Sequence, residues 1–144
     1  MSQAFRWTRR VEFCETDAAG IAHFSAFLCY MEQAEHALLR AVGWSVTHDL
    51  GDGWHLSWPR VHVECDYAGV ARFEDELDIE VRVAKLGNKS VTYHFSFELK
   101  GNRIASGKIV AVCCRVASGK PLASVAIPME LLTRLQEYVE ETPA

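Results

Sequence analysis

The stretch VEFCETDAAGIAHFSAFLCYMEQAEHALLRAVG (11–43) combines a strand-like start, a loop of small residues and a long apolar segment. In that segment, apolar residues recur at three- and four-residue intervals, which places their side chains on one face of a helix. They are Phe27, Met31, Ala34, Leu38 and Ala41. The pattern predicts a helix over 25–42, with Ser25 as its N-cap and Gly43 as its C-terminal stop. A helix with so apolar a surface requires other elements to wrap around it.

After this helix, the hydrophobic period changes to two, which is the period of half-buried β-strands. Apolar and polar residues alternate in three consecutive segments, 61–67, 77–83 and 91–99. A fourth segment is apolar on both faces from Ile109 onward and is predicted to be a central strand covered on both sides. A first strand is predicted over residues 6–14, ahead of the helix.

Short glycine-containing turns join these strands. LGNK (86–89) and KGNR (100–103) are predicted hairpin turns, because Gly and Asn accept the positive φ that such turns need. Strands in hairpin succession form an antiparallel sheet. The chain therefore predicts an α+β fold in which a five-stranded antiparallel sheet wraps around one long helix. Pro128 suits the first turn of a short C-terminal helix.

Residues 44–59, between the long helix and the next strand, are predicted to be irregular. They hold three of the four tryptophans of the chain, Trp44, Trp54 and Trp58. Two interpretations stay open. Either the segment covers a pocket or a partner subunit, or its aromatic side chains close an edge of the core.

The composition excludes several classes of protein. Residues 1–144 are expected to form one domain, and 49% hydrophobic with 24% charged residues is typical of a globular chain. A net charge of −4 does not indicate a nucleic-acid partner. The start of the chain lacks the apolar run of a signal peptide, and no stretch approaches the roughly 18 apolar residues of a transmembrane helix. A cytoplasmic protein without a membrane partner is predicted.

The five cysteines do not suggest a disulfide framework or a zinc site, because their number is odd and none shows CxxC spacing. They are predicted to be reduced, buried thiols, and Cys113 with Cys114 to be core thiols. The histidines His55, His62 and His94 lack metal-ligand spacing. No metal and no cofactor is expected.

The order of elements and the opening stretch resemble the hotdog-fold acyl-CoA thioesterases, in particular the 4-hydroxybenzoyl-CoA thioesterase family. The resemblance covers about residues 7–139. Its most specific part is the loop before the long helix, where the family has Asp, one or two small residues, Gly, a hydrophobic pair and a His or aromatic position. Those places are held by Asp17, Gly20, Ile21, His23 and Phe24. CDYAGVARFEDEL (65–77) is a second, weaker match.

The resemblance implies a division of roles in this loop. Asp17 would be the catalytic carboxylate, either as a nucleophile or as a base that activates water. The N–H of Phe24 would polarise the thioester carbonyl, because the first N–H groups of a helix have no intrahelical partner and favour negative charge. Gly20 would allow the tight bend. Taken alone, the Asp of TDAAG (16–20) is more typical of a turn.

Further residues of the loop and helix are candidates for substrate contact. His23 is interpreted as lining the pocket, orienting the substrate or assisting the loop carboxylate, or as a half-buried histidine with a backbone partner. The resemblance assigns Ile21 and Ser25 to substrate binding. A second branch of hotdog thioesterases uses a helix carboxylate. The presence of the loop Asp nevertheless favours Glu32 and Glu35 as ordinary polar positions of a mostly buried helix.

Cations are expected near the CoA phosphates. Lys85, Lys89 and Ser90 flank the LGNKS hairpin, where related thioesterases place basic residues against the nucleotide phosphates. The family's basic run is thinned in this chain, since Gly87 and Asn88 precede the second lysine. Solvated hairpin lysines are the alternative interpretation.

The implied activity is hydrolysis of an acyl-CoA to a free carboxylate and CoA. In this family the active site lies at a subunit interface, so a homodimer or homotetramer is implied, with sheets pairing edge to edge. The alternatives are hydrolysis of acyl groups on acyl carrier protein, and a non-catalytic hotdog protein that would be expected to lose Asp17. A hotdog dehydratase or hydratase is disfavoured, because its usual His-based loop is not evident. Aromatic and aliphatic acyl groups both stay open.

Overall fold

The computed structural model describes residues 3–141. In that part of the chain, nine strands and two α-helices follow one another. They are β1 (Phe5–Arg10), α1 (Phe24–Ala41), β2 (Asp49–Gly51), β3 (Trp54–Ser57), β4 (Arg60–Tyr67), β5 (Glu76–Leu86), β6 (Ser90–Leu99), β7 (Asn102–Val112), β8 (Cys114–Val116), β9 (Ala123–Ser124) and α2 (Met129–Gln136).

The larger sheet has five antiparallel strands in the order β1-β5-β6-β7-β4. β1 and β4 are its edges, so β7 has the interior position predicted for it. One face of the sheet packs against α1, and the α+β hotdog architecture is confirmed. The face of β7 that points away from α1 is less covered than predicted, because Val110 and Val112 are only half-buried.

The core lies between the inner face of this sheet and the apolar face of α1. Period-two alternation of the strands and three- and four-residue spacing of the helix bring their apolar side chains together. The largest fully buried ones include Tyr30, Met31, Leu38, Leu77, Ile79, Tyr93, Phe95 and Phe97. Gly107 of β7 leaves room for the helix, since a Cβ there would lie 2.2 Å from the sulfur of Met31.

Helix α1 begins one residue before the predicted start. Its N-cap is His23, whose Nδ1 accepts a hydrogen bond from the N–H of Ser25 at 3.2 Å. The prediction that Ser25 caps the helix is therefore wrong, because the imidazole supplies the acceptor and Ser25 lies within the first turn. Gly43 follows the C-cap residue Val42 and has a φ of +86°, which confirms it as the C-terminal stop.

The first strand ends at Arg10 and not at residue 14. Val11 leaves the sheet and is held by hydrogen bonds to the loop before β5, its N–H donating to the carbonyl of Asp75 at 2.9 Å. A single 3-10 turn, Phe13–Glu15, follows. The alternation of Val11 and Phe13 was misleading, because the first is fully buried whereas the second is 73% exposed.

The prediction that residues 44–59 are irregular is wrong. They contain β2 and β3, which join β8 and β9 in a second antiparallel sheet of order β2-β3-β8-β9. β8 is the end of the predicted fourth strand, which breaks at Cys113 and changes sheets. Trp58 is buried and closes the core, whereas Trp54 is half-buried, with the guanidinium of Arg115 4.5 Å from its ring centroid.

The two predicted hairpin turns form in different ways. In KGNR, Lys100 and Gly101 have φ values of 51° and 82° and are flanked by the Leu99–Asn102 pair. In LGNK, neither Gly87 nor Asn88 has positive φ, so the predicted reason for glycine is wrong there. A Cβ on Gly87 would instead lie 2.8 Å from Oγ of Ser90.

Replacing Lys100 with Asn is expected to raise the free energy of unfolding by about 1 kcal/mol, because a lysine pays a steric cost at positive φ that Asn largely avoids. Urea denaturation measures the difference. Lys120→Asn is the matched control, since that exposed lysine also lies in a turn but does not itself have positive φ. Equal shifts in both variants would contradict the explanation.

The C-terminal helix α2 follows Pro128, which occupies its N-cap position, one residue before the predicted first turn. Leu131 and Leu135 are buried against the main body. Within residues 3–141, neither helix combines the length and the apolar character needed to cross a membrane.

Candidate active site

The loop before α1 is folded back on itself. Thr16 forms an isolated bridge with Ala22, and the N–H of Asp17 donates to the carbonyl of Ile21 at 2.9 Å. The N–H of Gly20 donates to the carbonyl of Asp17 at 2.9 Å, and Gly20 has the positive φ, +78°, that the bend needs. Asp17 therefore lies on the leg that runs antiparallel to the leg leading into the helix.

One carboxylate oxygen of Asp17 stabilises the turn. Oδ1 accepts a hydrogen bond from the N–H of Ala19 at 2.9 Å, which is the local contact expected of a turn Asp. Oδ2 accepts no hydrogen bond from any residue between 3 and 141, and the residue is only half-buried. The turn role and a chemical role are thus compatible, because each can use a different oxygen.

The start of α1 presents one unpartnered donor. Ser25 and Ala26 donate their N–H groups to Nδ1 and to the carbonyl of His23, but the N–H of Phe24 has no acceptor among the described residues. Such an N–H at the positive end of a helix dipole stabilises a neighbouring negative charge. Phe24 itself is 64% exposed.

Tyr67, at the end of β4, fixes this helix start. Its hydroxyl donates to the carbonyl of Phe24 at 2.6 Å, and its ring meets that of Phe27 edge-on at 5.3 Å. Burial, followed by the neighbouring Cys65, raises the pKa of Tyr67 to about 12, so the phenol keeps the proton that it donates. The sequence alone does not distinguish Tyr67, which lies in the weaker motif 65–77.

His23 is held by structural contacts on two sides. Its main-chain N–H donates to the carbonyl of Glu15 at 2.8 Å. Its ring Nδ1 accepts from the main-chain N–H of Ser25 at 3.2 Å and lies 2.7 Å from the hydroxyl oxygen of the same serine. Its ring lies 4.3 Å from the ring of Phe24. Of the interpretations left open by the sequence, these contacts favour a half-buried histidine with a backbone partner.

The hairpin with Lys85, Lys89 and Ser90 does not reach this loop within one chain. The ring of Phe97 lies 5.2 Å from that of Phe27 in the first turn of α1, which places this end of β6 beside the loop. Ser90 is at the other end of the same strand, seven residues or roughly 23 Å away at about 3.3 Å per residue. One chain therefore holds only part of the predicted site.

The profile of the thioesterase-like superfamily matches residues 11–135. The chain belongs to this superfamily. A protein described as a putative esterase from Aquifex aeolicus is 32% identical over 135 residues, which cover 92% of this chain and 98% of the relative. The predicted resemblance to hotdog thioesterases is confirmed, and with it the prediction of an enzyme that hydrolyses thioesters.

Two further relatives have more specific names. A 1,4-dihydroxy-2-naphthoyl-CoA hydrolase from Synechococcus elongatus is 26% identical over 109 residues, covering 76% of this chain and 80% of that protein. The solved structure of a gentisyl-coenzyme A thioesterase superposes with a TM-score of 0.79 at 25% identity, covering 90% of this chain and 98% of that one.

The helix of this thioesterase also carries a buried ion pair. Glu35 is 1% exposed and pairs with Arg60 at the start of β4, which in turn donates to the carbonyl of Trp58. Burial raises the pKa of Glu35 to about 7; Arg60 opposes this shift and Glu32 adds to it. Oε1 of Glu35 and Nε1 of Trp58 have no hydrogen-bond partner within residues 3–141. Glu35 is therefore a buried carboxyl group, unlike Glu32, which is exposed as expected.

The buried carboxyl predicts a pH dependence of stability. Because the folded-state pKa of Glu35 lies above its ordinary value near 4.5, its stabilising contribution is complete below about pH 4.5 and is lost as pH rises through about 7. Relative to Glu35→Gln, the wild type should lose about 3 kcal/mol of unfolding free energy across this range, at about 1.4 kcal/mol per pKa unit. Urea denaturation at several pH values measures the difference, and Glu130→Gln, an exposed carboxylate on α2, should leave the slope intact. Parallel curves for wild type and Glu35→Gln would contradict this assignment.

The predicted buried thiols are found only in part. Cys113 and Cys114 are buried, and burial raises the pKa of Cys113 to about 11. Cys14 and Cys29 are exposed, so the prediction is wrong for these two, because the first lies in the 3-10 turn and the second on the outer side of α1. Residues 3–141 contain no group of three side chains suited to a metal ion.

A cleft of about 390 Å³ lies on the opposite, outer face of the large sheet. Its lining is charged and includes Glu64, Arg82, His94 and Lys108. None of the predicted site residues lines it, and the sheet separates it from α1. The cleft is therefore distinct from the loop that carries Asp17.

Proposed function

We propose that this thioesterase hydrolyses an acyl-CoA to a free carboxylate and CoA, with Asp17 as the catalytic carboxylate and the N–H of Phe24 as the oxyanion donor. One observation carries the proposal. The loop places a carboxylate with an unpartnered oxygen on the leg beside the helix start, where a backbone N–H is also unpartnered. The names of the two relatives that act on CoA thioesters support CoA as the carrier.

The proposed chemistry follows from these two groups. As the carbonyl carbon is attacked, negative charge develops on its oxygen, and the N–H of Phe24 with the helix dipole stabilises that charge. Asp17 acts by one of two routes. It attacks the carbonyl to form a mixed anhydride that water hydrolyses, or it takes a proton from an attacking water. In either route the CoA thiolate leaves and the acyl group departs as a carboxylate.

The proposed site is completed by a second copy of the chain. β4 is an edge strand with unpaired backbone groups, and it exposes Val61, Val63 and Tyr67, which are 63%, 42% and 45% exposed. Antiparallel pairing of β4 with its symmetry mate would bury these side chains and extend the sheet across a two-fold axis. A homodimer of this kind is the smallest assembly that would supply both the Asp17 loop and a hairpin from a second copy to one site.

Such a dimer accounts for the distant hairpin. Antiparallel pairing places the start of one β4 beside the end of the other, so the LGNKS hairpin of one copy approaches the loop of its mate. Lys85, Lys89 and Ser90 would then face the phosphates of a CoA whose thioester lies at Asp17. Ile21, half-buried in the loop, and Ser25, exposed in the first helical turn, would line the acyl side.

Release of free thiol from a panel of thioesters tests the proposed function. The panel includes hydroxybenzoyl-CoA, dihydroxynaphthoyl-CoA, short and medium aliphatic acyl-CoAs, and the same acyl groups on acyl carrier protein. We expect turnover of at least one CoA ester, with hydroxyaryl groups favoured by the relatives' names. Turnover of carrier-protein thioesters alone would identify acyl carrier protein, and not CoA, as the carrier. Binding without any thiol release would overturn the enzymatic proposal.

A further inference from the structure

Between β1 and the loop lies an acidic side chain that the roles above do not use. Glu15 closes the 3-10 turn, two residues before Asp17. Its carboxylate accepts four hydrogen bonds, two from the guanidinium of Arg9, one from the hydroxyl of Tyr30 at 2.8 Å and one from the N–H of Glu12 at 2.7 Å. The Glu15 and Arg9 side chains are only 17% and 20% exposed, so solvent screens this pair far less than a surface ion pair.

These contacts join three elements at one carboxylate. Arg9 belongs to β1, and its Nε also donates to Oε1 of Gln33 on α1 at 2.9 Å. Tyr30, fully buried on the same helix, lies with its ring centroid 4.9 Å from the Arg9 guanidinium. Glu12 belongs to the chain between β1 and the turn. The carboxylate of Glu15 thus holds the sheet edge, the turn and the helix together.

The main chain of the same residue closes the base of the loop. The carbonyl of Glu15 accepts the N–H of His23 at 2.8 Å. One leg of the loop leads from Glu15 to Asp17, and the other returns through His23 to Phe24. Asp17 and Phe24 therefore lie on two chain segments that meet at Glu15, which is itself held in place by the contacts above.

We propose that Glu15 is a positioning residue, whose carboxylate ties the loop to β1 and α1 and so sets the placement of Asp17 relative to the N–H of Phe24. The kinetic part of this inference rests on the proposed function. Placement matters because a misplacement of about 1 Å can cost roughly 100-fold in rate. Glu15 itself does not touch the substrate in this role.

The negative charge of Glu15 strengthens the hydrogen bonds that its carboxylate accepts. Burial acts to raise its pKa, but the hydrogen bonds from Glu12, Tyr30 and Arg9 together lower it below the ordinary value. Burial and the hydrogen bond to Glu15 raise the pKa of Tyr30, so its hydroxyl stays protonated and donates. The carboxylate is therefore ionised at neutral pH, and Gln at this position would keep the shape but lose the charge-assisted bonds.

The test compares Glu15→Gln and Tyr30→Phe with the wild-type protein in two measurements. The first is amide hydrogen exchange by NMR at the N–H groups of Asp17 and His23, with Phe95 in the sheet as an internal reference. The second is thiol release from the acyl-CoA that the wild type hydrolyses best, resolved into kcat and KM. Glu76→Gln is the matched control, because it removes the exposed carboxylate that pairs with Arg10, the neighbour of Arg9 on β1.

For Glu15→Gln we expect loop exchange to rise at least ~10-fold with the sheet unchanged, and kcat to fall about 10- to 100-fold with little change in KM. Tyr30→Phe should also raise loop exchange and lower kcat, but by smaller factors. Glu76→Gln should change neither loop exchange nor kcat. In an Asp17→Asn background, adding Glu15→Gln should cost no more than about 3-fold, because the positioning acts through Asp17.

Each contrary result has a distinct meaning. Unchanged loop exchange in Glu15→Gln overturns the inference, whatever the activity. Raised exchange with unchanged kcat, or a full additive loss in the Asp17→Asn background, overturns the positioning role and leaves Glu15 as a stabilising residue only. A wild type that releases no thiol refutes the proposed function, while the exchange comparison still decides whether Glu15 fixes the loop.

Discussion

Asp17→Asn is expected to lower kcat for thiol release at least ~100-fold while the protein stays folded, which is the usual scale for losing a positioned acid–base group. An amide oxygen still accepts the hydrogen bond from the N–H of Ala19, so the turn is preserved. The amide can neither attack a carbonyl as a carboxylate does nor take a proton from water. The loss should therefore fall on the chemical step and leave KM largely unchanged.

Asp78→Asn is the matched control for this variant, because it removes an exposed carboxylate from the outer face of the sheet. Urea denaturation of both variants establishes that each is folded under the assay conditions. Wild-type turnover in Asp17→Asn would exclude this residue as nucleophile or base, and a loss of equal size in Asp78→Asn would remove the specificity of the effect.

Val61→Asp is expected to convert the proposed dimer to a monomer and to lower turnover at least ~100-fold. Val61 is 63% exposed on the edge strand β4, so the free chain tolerates a polar group there. In a paired sheet the same carboxylate would lie in an apolar interface beside the end of the partner's β4, and burial of unpaired charge is costly. Loss of the second copy would also remove the hairpin lysines from the site, and with them much of the positioning of CoA.

Light scattering coupled to size-exclusion chromatography gives the mass, and thiol release gives the activity. Val116→Asp is the control, because this valine is 37% exposed on β8, outside the proposed interface. A Val61→Asp protein that stays dimeric would contradict the edge-strand interface. A fully active monomer would contradict the shared site.

The main sheet and the long helix were predictable because their signals are local and repeat. Alternation from Leu77 to Val83 and from Val91 to Leu99, and three- and four-residue spacing along α1, each fix one buried face. The α+β arrangement then follows from the hairpin order. The loop around Asp17 was found by resemblance, since TDAAG by itself indicates only a turn.

The second sheet was not predictable by the same reasoning. β2, β3, β8 and β9 are two to four residues long, too short for a period to be visible. They exist because of tertiary pairing, for example His55 opposite Val116. The break at Cys113 inside an apolar run likewise depends on which sheet each half joins.

Single contacts between distant residues were also missed. Nothing in the sequence distinguishes Glu15 from Glu12, and it is the approach of Arg9 and Tyr30 that gives Glu15 its partners. Glu35 lies on a helix position that reads as polar, yet packing against β4 buries it with Arg60. His23 replaces Ser25 as the cap because the ring reaches back over the first turn, which depends on side-chain geometry.

The central claim is that this chain hydrolyses an acyl-CoA with the Asp17 loop and the start of α1. The most direct measurement is incubation of the wild type with its best acyl-CoA in ¹⁸O-labelled water, with mass analysis of both products over many turnovers. We expect free CoA and free carboxylate in equal amounts, with ¹⁸O in the carboxylate, and at least ~100-fold slower product formation by Asp17→Asn. Recovery of intact acyl-CoA from a stable complex, or equal product from both proteins, would contradict it.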